Sequence, residues 1–247
     1  MLDHYYYLAS LPALDGLGSE PGMGFAELLE HVENDRPRHE LVGCLFLLDD
    51  LLQREGYLAG ELEQVDPAVL SIHQVRNESP LPEYLILASE PDETSRLGAA
   101  DRLWEAYFRY VAAAAQRLES RFLAAWVGHE VALRNALVSA RAKRLGLEEA
   151  DYLVAADLAS AGEEVTTAVS EWALAPTPLA GQQALLRARW TWLTAHDAWF
   201  TFSNDELAVY AARLLLLHQW LRMTSEGGQE DTAFAGPAGS ARSRGEE

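Results

Sequence analysis

From Ser95 to Gly146 the chain contains no proline, and its only interior glycines are Gly98 and Gly128. Alanine and leucine dominate, and apolar residues return every three or four positions. That is the period of an amphipathic helix. The stretch predicts either one very long helix or two joined near Glu119. Gly146 is a natural C-terminal stop, with Lys143 and Arg144 suited to the negative end of the helix dipole. The same pattern reads helical nearly throughout the chain and alternating strand-like runs are scarce, so the fold class predicted is all-α.

The flanking segments agree. Gly24–Asp35 reads as a short first helix. His39–Gly56 reads as a second, with Pro37 just before it, Gly56 as its stop, and Leu41, Leu45, Leu48 and Leu52 as its buried stripe. Residues 56–95 form an irregular connector punctuated by Pro67, Pro80, Pro82 and Pro91, in which "PLPEYLILASEP" is the one place for a short strand or strand pair. Glu148–Ala159 and Gly162–Leu174 read as shorter helices. Pro176 and Pro178 interrupt before Gly181–Phe202, and Ser203 or Asn204 caps a last helix, Asp205–Met223. Residues 1–223 thus form one helical domain, a multi-helix bundle. Residues 224–247, poor in apolar periodicity, read as a disordered tail. There is no repeat of solenoid period.

Composition excludes several roles. Acidic residues outnumber basic ones 38 to 19, for a formal charge of −19. Nucleic acid is not an expected partner, because phosphate contacts need clustered Lys and Arg. Anionic lipid is disfavoured for the same reason. The longest apolar run, Leu41–Leu48, is far short of the ~18 residues of a membrane span and is followed at once by Asp49 and Asp50. The first residues lack a basic n-region, so a secretory leader is not expected. The single cysteine, Cys44, reads as a core residue of a cytoplasmic protein.

Motifs for catalysis are missing. His129-Glu130 is not a zinc-protease site, because position 133 is Leu where a second His is required. No histidine has Glu three residues before it, as di-iron bundles need. His31, beside Glu27, Glu30 and Glu33, reads as part of a solvated face. No phosphate-binding or dinucleotide glycine motif occurs, nor G-x-S-x-G; "GLGSEPGMG" reads as a connector. Trp190, Trp192 and Trp199, with Phe200 and Phe202, read as core or helix contacts. No catalytic residue, cofactor or metal is expected.

The central helix carries the most informative polar residues. At about 100° per residue, Phe122, Leu123, Trp126, Val127, Leu133, Leu137, Val138 and Leu145 share one face, and Glu130, Arg134 and Arg141 fall within it. Asn135 lies at its edge and His129 toward the other side. Glu130 and Arg134 are spaced to meet on the helix. Arg189, His196 and Asp197 share an arc with Leu186, Trp190, Leu193 and Phe200. The expectation is a structural polar network of Glu130, Arg134, Asn135, Arg141 and Asp197, with Arg134 or Arg141 reaching Asp197 across a helix interface. Interior pairs of this kind persist when hydrogen bonds complete them. The alternative is a helical enzyme or ligand-binding protein using Glu130, Arg134, His196 and Asp197.

"YYYLASLP" (Tyr5–Pro12) and "FLAAWVGHEVALRNALVSARAKRLGLEEADYL" (Phe122–Leu153) resemble a bacterial family of uncharacterised helical proteins encoded beside V-type ATPase genes. That family in turn resembles the C-type subunit of V/A-type rotary ATPases, the d-type subunit of eukaryotes. The shared pattern is Trp126, Glu130, Leu133, Arg134, Asn135, Leu137, Arg141 and Ala142. The chain is shorter than the C-type subunit and shows no triplicated bundle. The resemblance implies a non-enzymatic helical bundle of C-type character that contacts the rotor ring and the central shaft. Such a part is cytoplasmic and peripheral to the membrane, and it couples ATP hydrolysis to ion transport without binding nucleotide. A transient assembly factor for the same complex is the variant of that reading.

Overall fold

The computed structural model describes residues 7–86, 98–160, 162–197 and 203–233, with side chains of the last helix described as far as Ser225. The all-α expectation holds: no strand occurs among the described residues. The helices are α1 (Phe25–His31), α2 (Arg36–Ala59), α3 (Ile72–Val75), α4 (Ala99–Arg117), α5 (Arg121–Leu145), α6 (Glu163–Leu174), α7 (Pro178–Ala195) and α8 (Asn204–Ala233).

Local chemistry sets the boundaries. Asp35 caps α2 by accepting from the Arg38 N–H at 3.2 Å, and Pro37 sits inside the first turn, where its missing N–H costs nothing. The predicted start of α2 was therefore late. Its predicted stop was early: Gly56 stays helical and Gly60, at φ 76°, closes the helix. Gly56 serves close packing instead, since a Cβ there would lie 2.9 Å from Leu62 Cδ1. The long proline-free run is two helices. Glu119 takes a left-handed φ of 52°, and Ser120 Oγ accepts from the Leu123 N–H at 3.1 Å to start α5. Gly146 ends α5 at φ 68°, as the sequence indicates.

Two corrections concern coil and helix. Glu148–Ala159 is not a helix but two 3-10 turns, Glu149–Asp151 and Ala156–Leu158, joined by irregular chain with Ala155 left-handed. The last helix does not stop at Met223 but runs to Ala233, so the tail expected from Thr224 begins as helix. In the connector, Glu83–Leu85 is a 3-10 turn, and the remainder of the suggested strand from Leu87 lies outside the described residues.

Two cores result. The larger gathers α2, α4, the first half of α5, the end of α7 and α8 around Phe46, Tyr107, Leu123, Trp126, Leu193 and Leu215. The smaller joins Ala132 and Leu133 of α5 to Val165 and Ala168 of α6 and Leu185 of α7. Each buried leucine contributes roughly 1.5–3 kcal/mol. Between the cores α5 is enclosed on every side: all residues from Trp126 to Leu133 are buried. A helix apolar all round belongs in the interior, which is why His129, expected on the far side, is 3% exposed. On α2, Leu41, Leu45 and Leu48 are buried as expected, but Leu52 faces out at 41% exposure. Cys44 is buried, and burial pushes its thiol up to about 12.

The chain leaves α5 at its far end and comes back along it. Asn135 and Gly128 bind this return segment, and α6 then runs outward again, with Arg141 of α5 lying over Trp172 near its end at 5.2 Å. Helices α5 and α6 are thus parallel, and α7 returns antiparallel to both. The three, here termed the finger, share the smaller core.

Candidate functional site

The polar residues of α5 are partnered across helices rather than along α5. Glu130 accepts from Arg189 Nε at 2.7 Å and Nη2 at 2.9 Å, a bidentate bridge from α5 to α7. Arg134 donates to Asp101 Oδ1 at 3.1 Å, and its guanidinium lies 4.8 Å from the Trp104 ring, both on α4. The expected Glu130–Arg134 contact therefore does not form, because each has a better-oriented partner on another helix. Asn135 binds Val154 twice: its Nδ2 donates to the carbonyl at 2.8 Å and its Oδ1 accepts from the N–H at 3.0 Å. Asp197 is held by Arg213 of α8 at 2.5 Å, not by Arg134 or Arg141. Arg141 instead faces Trp172.

The five network residues are thus all engaged, but as separate ties. The set proposed for an enzyme is likewise dispersed. His196, at the end of α7, borders an open groove of about 700 Å³ together with Glu164, Glu171 and Trp192. Asp197 lines a different hollow of about 230 Å³, beside Leu11, Leu14, Tyr210 and Arg213. Glu130 and Arg134 line neither. His129 stacks on Trp192 at 4.7 Å, and Trp192 also stacks with His196 at 3.9 Å. Both ring nitrogens of His129 are buried without a hydrogen-bond partner, and burial lowers its basicity below the ordinary value. Trp190 packs against the larger core, whereas Trp199, Phe200 and Phe202 lie outside the described residues. His31, expected in solvent, instead contacts the Tyr7 carbonyl at 3.0 Å and anchors the N-terminal segment.

A second polar cluster has no counterpart among the sequence expectations. Asp49 and Asp50 are fully buried on α2. Asp49 accepts from Gln53 at 2.9 Å, from Gln219 at 3.2 Å and from both terminal nitrogens of Arg222, which fastens α2 to α8. Asp50 accepts the backbone N–H groups of Ala68, Val69 and Leu70 at 2.8, 2.8 and 2.7 Å. Burial pushes its carboxyl up to about 6, against those three donors and with Asp49 adding to the rise. One and a half turns of α2 organise the connector further. Gln53 exchanges hydrogen bonds with the Asp66 backbone, and Arg54 donates to the carbonyls of Gln74 and Val75 and to Asn77 Oδ1. Trp104 Nε1 donates to Glu55 at 2.6 Å. The signal was available: Leu41–Leu48 is apolar on every helical face, so the helix is interior and the next two carboxylates share its burial.

Chemically these groups bind one another, and they hold the connector, the return segment and the finger in fixed register. Among the described residues no group of three His, Cys, Asp or Glu side chains is placed to hold a metal ion. No helix among them is long and apolar enough to cross a membrane. Comparison with known protein families, with curated proteins and with solved structures finds no match.

Proposed function

We propose that this chain is a non-catalytic component or accessory protein of a V/A-type rotary ATPase, similar to the C-type subunit of its central stalk. It makes protein–protein contacts there, between rotor ring and shaft, on the cytoplasmic side of the membrane. The association with the ATPase rests on the sequence pattern from Trp126 to Ala142. The non-catalytic role is carried by one observation. The polar residues of that pattern, Glu130, Arg134, Asn135 and Arg141, each end in a tie to another segment of the fold. A pattern whose polar members serve packing specifies a rigid shape rather than a reaction.

The test is isolation of the tagged chain from native membranes in mild detergent, with the co-purifying proteins identified and quantified. The expected result is recovery of rotor-ring and shaft proteins in fixed proportion to the chain. Recovery with no ATPase component overturns the reading. Partners found only during biogenesis, and not in the mature complex, identify an assembly factor instead.

A further inference from the structure

We infer that the free end of the finger is a docking tip for an acidic, amphipathic helix of a protein partner. The inference rests on the ATPase reading and names the surface through which that contact is made. Helices α5 and α6 both end there and α7 begins there, gathered around Trp172. Arg141 lies over its ring, and Gly181 packs so close that a Cβ would come within 3.0 Å of it. Beyond this clamp lie the two most exposed large apolar side chains among the described residues. Leu174 is 85% exposed and Leu145 is 71% exposed, with Leu147 and Leu179 also exposed. Four exposed leucines at the helix ends that meet around Trp172 mark an interaction surface.

Charge selects the occupant. The chain carries −19 overall, yet Arg141, Lys143 and Arg144 fall within four residues at this tip, and Lys143 is its only lysine. Among the described residues none of the three is in an ion pair. Directly after them Glu148 is exposed and Glu149 partly so. The complement is a surface with carboxylates opposite Lys143 and Arg144, apolar side chains over the leucines, and no continuous negative sheet against Glu148. A helix with one acidic edge meets that description, and an anionic bilayer does not.

The test uses the full chain and the V/A-type ATPase extracted from its own cells. A carbodiimide joins amines directly to carboxylates, and apart from an amino terminus Lys143 is the one amine this chain offers. The expected result is a Lys143 link to an Asp or Glu in a helix of an ATPase protein. A Leu145→Ser/Leu174→Ser variant with an unchanged melting temperature should bind about tenfold more weakly. If that variant melts lower, the Lys143 link decides alone. Binding of wild type without the link, and equally tight for the variant, overturns the tip and leaves the ATPase reading intact. No binding by either protein overturns both. Links from Lys143 to a second copy of this chain, or variant-sensitive binding to phosphatidylglycerol vesicles, also overturn the proposal by naming another occupant.

Discussion

Glu130 and Arg189 stand 59 residues apart in the chain and meet through two hydrogen bonds at 2.7 and 2.9 Å. The carboxylate is almost wholly buried, while the guanidinium keeps some access to water. Removing the cation leaves a buried charge unpaired. Arg189→Ala is therefore expected to cost roughly 3–5 kcal/mol. Arg134→Ala loses a partly exposed pair and one ring contact, on the order of 1 kcal/mol. Urea unfolding of the two variants orders them; equal losses reject the assignment of Arg189 as the partner of Glu130.

Asp50 titrates in the direction opposite to most paired carboxylates. Its folded value, about 6, lies above the ordinary 3.8, so the folded chain holds the proton more tightly. The stability this gives is fully present below pH 3.8 and is lost as pH rises through 6, a span worth roughly 3 kcal/mol. Relative to Asp50→Asn, the wild type should weaken across that window. Asp50→Ala strips three backbone donors of their acceptor, and hydrogen exchange should accelerate first at Ala68, Val69 and Leu70.

His129 acts with the reverse sign. Burial holds its folded value below the ordinary 6.5, so its contribution is present above pH 6.5 and is lost as pH falls. Glu130, Glu164, Arg189 and His196 surround it and modulate the shift. His129→Phe keeps a ring against Trp192 without a proton to gain. Its melting temperature should fall less than the wild type's between pH 7 and 5, the difference reaching at most ~1.4 kcal/mol per pH unit. Parallel curves would show that folding leaves the His129 value unshifted.

Gly128 lets the return segment touch α5. Ser160 N–H donates to the Gly128 carbonyl at 3.0 Å, and a Cβ at 128 would sit 2.9 Å from Ser160 Cβ and 3.3 Å from the Leu158 carbonyl oxygen. Neither neighbour is a flexible side-chain end. Gly128→Ala should destabilise by ~1–3 kcal/mol despite its better helix propensity. A rise in melting temperature would contradict this packing.

Glu119 supplies the opposite case. It is exposed and left-handed between α4 and α5. Glu119→Gly should stabilise by about 1 kcal/mol, because glycine adopts this φ without strain. Calorimetry checks the sign.

Helix existence was readable wherever one residue decides it. The Gly146 stop follows from residue type, whereas the run before it read equally as one helix or as two joined near Glu119, and the left-handed Glu119 decides for two. Partner choice was not readable, since the i,i+4 rule scores neighbours on one helix, whereas Arg189 and Asp101 arrive from other helices. Glu148–Ala159 has helix-forming composition, but Asn135 binds the Val154 backbone and Gly128 binds that of Ser160 just after it, and tertiary contacts prevail over propensity. The buried state of Asp49 and Asp50 was implied by the apolar residues before them, yet a pair of carboxylates reads on its face as the end of burial.

Helix α5 belongs to both cores, with Trp126 in the larger and Leu133 in the smaller. It runs unbroken from Arg121 to Leu145, a rod about 37 Å long. One continuous helix therefore ties the two cores together, so that neither can shift along the helix axis without carrying the other.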